Sequence, residues 1–344
     1  MSSEEETRER VGADHSTASF TALVDLASAR LGGRTLAASD EFFAPKSNLL
    51  KPTPPIFIPD KFTTRGKWMD GWESRRRRTP GHDWCVLALG LRGVVHGVNV
   101  DTRFFTGNYP PHCSIEAADA KRVSAPYSRL PWTTIRGRSD LHGDANNFFA
   151  IADRRPWTHL RLNIFPDGGV ARFRVYGEAA LDWARIANSR RAIDLGSVLN
   201  GGLVVGASDM HFGARDNIIM PGRAKNMGDG WETRRRRGPG FDWLIVRLGS
   251  SGHLTKIELD SNHFKGNYPD SASIEGCFAP GATHEDLKQA RWLEILPRTK
   301  LKPHYRHFFS KQLQHRGPVS HVRLNIFPDG GVSRLRIHGT VAAA

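Results

Sequence analysis

Cysteine is scarce in this chain of 344 residues: Cys85, Cys113 and Cys277 are the full complement. No two stand in a CxxC or CxxxC spacing and one is left over, so neither a disulfide framework nor a cysteine zinc site is indicated. No run of about 18 apolar residues occurs, which argues against a membrane-spanning helix and leaves no membrane partner to expect. The opening MSSEEETRER is polar and acidic and has no apolar core for a secretory signal. A soluble, cytoplasmic protein in a reducing compartment is the expectation. HxH and HExxH spacings are missing too, so the metal signal is weak. The expected cofactor is none, with a divalent cation such as manganese left open. Acidic residues are outnumbered, 35 Asp+Glu against 49 Lys+Arg, for a formal net charge of +14. That balance favours anionic partners without choosing among nucleic acid, membrane surface and small anions.

What the chain does contain, it contains twice. Trp72 to Trp84, WESRRRRTPGHDW, returns from Trp231 to Trp243 as WETRRRRGPGFDW, with 10 of 13 aligned positions identical. A repeated charge cluster of this kind marks a duplicated unit. Residues 24 to 50 align with 193 to 219, so that Gly32-Gly33 matches Gly201-Gly202 and Asn48 matches Asn217. Gly-Asn-Tyr-Pro recurs at Gly107 and Gly266, Ser-Ile-Glu at Ser114 and Ser273, and RLNIFPDGGV at Arg161 and Arg323. Between Leu50 and Gly66 the first copy carries about ten extra residues whose prolines disfavour a helix, and these are expected to form a surface excursion.

WCVLALG and VVHGVNVDT read as short strands, because Val98 and Val100, like Ile257 and Leu259, repeat at a spacing of two. Pro-Asp-Gly-Gly after LNIF predicts a hairpin turn. Phe173 and Val175, alternating with Arg172 and Arg174, predict a strand with one buried face and one basic face, as do Leu335 and Ile337 with Arg334 and Arg336. One good helical stretch appears, EAALDWARIAN at 178–188. The expected organisation is a flexible arm over 1–20, a first unit over 21–177, a partly helical linker over 178–192 and a second unit over 193–344. Many short strands, Gly/Pro turns and little helix indicate an all-β fold, a tandem pair of β-sandwiches with the jelly roll favoured.

The doubled GWE[ST]RRRR block, the GNYP and SIE segments and the doubled RLNIFPDGG together resemble the allantoicase (allantoate amidinohydrolase) family over roughly residues 24 to 340. The resemblance implies a repeated jelly roll of the galactose-binding-like kind and a cytosolic homo-oligomer. It also implies hydrolysis of allantoate to ureidoglycolate and urea in ureide catabolism. It brings no catalytic assignment, so the site is argued from residue chemistry.

Allantoate carries one carboxylate and two ureido groups on one carbon. A pocket for this small anionic ureide needs a cation, hydrogen-bonding groups, and an acid or base to help urea depart. The carboxylates near loop-forming segments are Glu73, Asp101 and Glu116, with Glu232, Asp260 and Glu275 in the second unit, and these are the catalytic candidates. Arginine offers a fork that fits a carboxylate. Arg75, Arg77, Arg234 and Arg236 are therefore substrate-binding candidates, with Asn108, Tyr109, Asn267 and Tyr268 from the GNYP loops. Against this, alternate arginines on an extended chain face opposite ways, and one pair can simply tie Glu73 or Asp83 to a neighbouring loop. Trp72, Trp84, Trp231 and Trp243 read better as core than as stacking platforms. His159 and His321 read better as structural histidines than as acid or base. A non-catalytic carbohydrate- or anion-binding sandwich is the rival reading. Nucleic-acid binding is disfavoured because the arginines sit between Glu and Asp within an ordered repeat and no nucleic-acid motif occurs.

Overall fold

The computed structural model describes residues 19–120, 123–314 and 317–342. Most of the expected N-terminal arm, residues 1–18, lies outside them. Two antiparallel β units stand in tandem. Each is organised on one long strand, Asp83–Asp101 in the first and Asp242–Asp260 in the second. The sequence suggested two short strands here, but the chain runs through without a break. The early half of Asp83–Asp101 pairs with Arg34–Ala38 on one side and Pro156–Phe165 on the other. The later half pairs with Asn146–Ala150 and Arg172–Ala179. One strand therefore belongs to both layers of the sandwich. The second unit repeats this arrangement, with Leu203–Ala207, Val319–Phe327, Arg306–Phe309 and Arg334–Val341 around Asp242–Asp260.

Period-two alternation supplies the core. Leu160, Leu162 and Ile164 face inward with Ile115, Val98, Val100, Phe173 and Val175, and Trp72 is fully buried among them. Trp231 does the same in the second core. Trp84 and Trp243 do not join them; both are half-buried, and Trp243 packs with Ile245, Cys277 and Leu287 in a satellite cluster.

Three expectations need correction. The Pro-Asp-Gly-Gly turn does not close a hairpin: Pro156–Phe165 pairs with Asp83–Asp101 and His112–Ala118, never with Arg172–Ala179. Its glycines serve close approach instead. A Cβ on Gly169 would lie 2.0 Å from the Phe105 ring, and one on Gly168, at φ +139, 2.7 Å from Pro110 N. The basic face of Arg172–Ala179 is not open to water, since Arg172 is completely buried. Its guanidinium donates to the Asp70 carboxylate at 2.6 Å and to the carbonyls of Thr53 and Asp70. The extra segment is thus clamped to the sandwich. Finally, the linker helix is confined to Trp183–Asn188, because the strand before it continues to Ala179. A second short helix, His284–Gln289, opens on a capping box between Thr283 and Asp286 that the sequence reading passed over. No helix among the described residues is long and apolar enough to cross a membrane.

Candidate active site

Three of the repeated motifs meet at one end of each unit. Trp72–Glu73 forms a two-residue strand against Gly169–Val170. Consecutive strand side chains point to opposite faces, so burying Trp72 turns Glu73 away from the core. Gly169 N donates to Asn108 O at 2.8 Å, which seats the Gly-Asn-Tyr-Pro loop on the Pro-Asp-Gly-Gly turn. The Asn108 amide then reaches Glu73, with Nδ2 2.7 Å from Oε1. In the second unit Asn267 donates to Glu232 in the same way.

Glu73 and Asn108 line a cleft of about 350 Å³. Phe43, Phe57, Met69 and Phe104 form its apolar walls, and Lys67, Thr106 and Asp144 add polar groups. Phe57 comes from the extra segment and stacks on Phe104, ring centres 5.8 Å apart. Phe104 sits at φ 71, and Asp144 Oδ1 accepts its N–H at 2.7 Å. Burial raises the pKa of Glu73 above its ordinary 4.5, while the hydrogen bond from Asn108 pulls the other way. A carboxyl poised closer to neutrality beside a fixed amide donor is suited to moving a proton. Among the lining residues Lys67 is the one cation, its ammonium 4.6 Å from the Phe57 ring centre.

The structure separates the other candidates from this cleft. Glu116 is held by Arg161 through Nη2 at 2.5 Å and by Asn163 at 2.8 Å, with the Arg161 guanidinium over Trp132. Glu275 has the matching clamp from Arg323 and Asn325. Asp101 is buried and gripped by Arg103 at 2.6 Å. Asp260 is equally buried and accepts the N–H of Asn262. Arg75 pairs with Asp40 at 2.6 Å and Arg77 with Asp83 at 2.9 Å. Arg234 and Arg236 lean on Asp209 and Asp242 and line a different cleft. Tyr109 packs on Met69, Phe105 and Ala171, and Tyr268 on the second core. His159 lies at the far end of Pro156–Phe165, about 20 Å of strand from the turn. His321 is buried and its pKa is depressed by that burial to about 4.

The sequence reading missed Phe57, Lys67, Phe104, Thr106 and Asp144. A faint signal existed for one of them, because Lys67 and Met69 before Trp72 have counterparts in Lys225 and Met227 before Trp231 once Gly228 is taken as a one-residue insertion. The second unit keeps Glu232 and Asn267 but sets His263, Lys265 and His304 where the first has Phe104, Thr106 and Asp144. His263 N donates to His304 Nδ1 at 2.8 Å there, and Met227 Sδ lies 3.8 Å from the Asn267 amide. Among the described residues no three His, Cys, Asp or Glu side chains are gathered closely enough to hold a metal ion.

A family model described as the allantoicase repeat matches residues 24–180 and again 193–342. The chain belongs to the allantoicase family. It is 51% identical to a probable allantoicase of Burkholderia mallei over 320 residues, covering 92% of this chain and 94% of that one. It is 50% identical to a probable allantoicase of Pseudomonas paraeruginosa, covering 96% and 98%. The crystal structure of allantoicase from Saccharomyces cerevisiae superimposes with a TM-score of 0.78 at 36% identity and covers 92% of both chains. Family membership extends over both units, so both motif sets belong to the allantoicase pattern.

Proposed function

We propose that this chain hydrolyses allantoate to ureidoglycolate and urea, and that the first unit's cleft carries the reaction. The observation that carries the assignment of the cleft is the Glu73–Asn108 pair in a 350 Å³ space, with the pKa of Glu73 raised by burial. Lys67 supplies the charge for the substrate carboxylate, and Asn108 orients a ureido group. The apolar walls Phe43, Phe57 and Phe104 give the substrate carbon a partly desolvated surface to lie against. Water adds its oxygen to the central carbon as the bond to one ureido nitrogen breaks. Glu73 takes a proton from that water and a proton passes from its carboxyl to the departing nitrogen, so urea leaves neutral and the carboxylate is restored.

In this reading the protein works in the cytoplasm as a homo-oligomer on a small anionic ureide, and no nucleic acid or membrane is a partner. The residues described need no resident cofactor for the proton transfers. Incubating purified protein with allantoate, with and without added Mn2+, and assaying urea tests the reading. Urea released at comparable rates in both arms supports it. No urea in either arm transfers the chain to the non-catalytic ligand-binding class.

A further inference from the structure

The doubled arginine run is the most conspicuous motif in the chain, and the Glu73 cleft makes no use of it. We propose that in the second unit this run forms a separate binding site for a compact oxyanion bearing two or more acceptor oxygens, of the phosphate or dicarboxylate kind. The strand ends at Glu232, and Arg234 to Arg237 follow outside regular secondary structure. All four, with Ser208, Asp209 and Asp242, enclose about 360 Å³. None of these residues lines the Glu73 cleft.

Four guanidinium groups face two carboxylates, and both carboxylates are already engaged. Asp209 accepts the backbone N–H of Arg234 at 2.6 Å, and Asp242 accepts the Ser208 hydroxyl at 2.9 Å as well as the Arg236 guanidinium. Among the described residues Arg235 and Arg237 have no partner, and the Nε–H of Arg236 is buried without an acceptor. A buried donor left unmet is costly and points to a missing acceptor. The first unit shares the orphaned donor, since the Nε–H of Arg77 is buried without an acceptor as well, and the two units differ instead at the first arginine of the run. There Arg75 holds Asp40 at 2.6 Å and stacks on Phe42, whereas Arg234 reaches Asp209 only at 3.4 Å and His211 stands in place of Phe42. Gly238 replaces Thr79 beside the cleft, leaving that rim without a side chain. Planar forks converging on one space are the arrangement that binds a multi-oxygen anion through paired hydrogen bonds.

The test is a titration of the whole protein with inorganic phosphate, and separately with succinate, at ionic strength held constant by KCl, read by calorimetry and by thermal shift. The double variant Arg235→Ala/Arg237→Ala removes two unpartnered side chains, and Arg76→Ala/Arg78→Ala is the first-unit control. The expected result is saturable binding of at least one anion, weakened at least about tenfold in the second-unit variant and little changed in the control, as loss of charge-assisted hydrogen bonds requires. Phosphate binding alone marks a tetrahedral-anion site and succinate binding alone a dicarboxylate site. Urea release from allantoate without either anion should match wild type in the second-unit variant. No saturable binding beyond the KCl baseline, or binding untouched by Arg235→Ala/Arg237→Ala, overturns the proposal. Loss of urea release in that variant without phosphate or succinate overturns it too, by placing the run in the catalytic machinery.

Discussion

The side-chain amide of Asn108 stands 2.7 Å from Oε1 of Glu73, although 35 residues separate them. Burial drives the pKa of Glu73 up, and this hydrogen bond to its charged form restrains the rise. Removing the amide should therefore push the pKa of Glu73 higher still. In Asn108→Ala the acid limb of the kcat/KM profile moves to higher pH, and kcat falls about tenfold or more through loss of the ureido contact. A pH–rate profile of the variant checks both.

Glu73 also makes a prediction about stability. Its folded pKa lies above the unfolded 4.5, so the fold favours the protonated carboxyl. The stabilisation linked to this group is present in acid and is lost as pH rises through the folded value. Glu73→Gln, which cannot ionise, should melt about 1–3 °C above wild type at neutral pH. The advantage should vanish below about pH 4, where wild-type Glu73 is protonated as well. Melting curves from pH 4 to 8 measure it.

Arg172 is fully buried, and the Asp70 carboxylate accepts its Nη2 proton at 2.6 Å. Arg172→Met should leave Asp70 beneath the extra segment with only Lys51 as its cation. Breaking one side of such a pair costs about 3–5 kcal/mol. Beyond the lower melting temperature, residues 51–71 should become the first site of limited proteolysis, and KM for allantoate should rise because Phe57 and Lys67 lose their support.

His321 is buried, its Nε2 has no partner among the described residues, and its pKa is lowered to about 4. Because its folded pKa lies below the unfolded 6.5, the unfolded chain binds the extra proton first. Stability tied to this imidazole is present above pH 6.5 and is lost as pH falls toward about 4. His321→Gln should flatten that part of the acid melting profile, with the gap from wild type narrowing between pH 6.5 and 4.

The duplicated unit and its inward-facing residues could be read directly, because burial on a pleated strand writes a period of two into the sequence. Val98, Val100, Phe173 and Val175 show that rule. Asp83–Asp101 was harder. Gly90 and Gly93 look like breaks, but both stay inside the strand because neighbouring backbone comes too close for a side chain. A Cβ on Gly90 would lie 2.6 Å from Leu31 O, and one on Gly93 2.5 Å from Glu178 O. The Pro-Asp-Gly-Gly turn misled for the same reason, since its glycines answer to Phe105 and the Asn108 loop rather than to a hairpin.

Of the residues that line the proposed cleft, Glu73 and Asn108 were legible because both belong to doubled motifs. Phe57 was not, because the segment that carries it has no counterpart and no periodicity. Its place over the cleft depends on Arg172 and Asp70, a contact across 102 residues. Arg75 and Arg77 attracted attention by their charge, yet Asp40 and Asp83 occupy them. Sequence shows how many cations a run holds but not which acids their folded neighbours bring.

The most direct test of the catalytic reading is the initial rate of urea release from allantoate by Glu73→Gln and Glu232→Gln, each shown to melt at or above the wild-type temperature. The account predicts that Glu73→Gln loses about 100-fold or more in kcat, the scale of a lost proton-transfer group, while Glu232→Gln stays within about twofold of wild type, as expected of a site outside the reaction. Near-full activity in folded Glu73→Gln, or a collapse confined to Glu232→Gln, would contradict it.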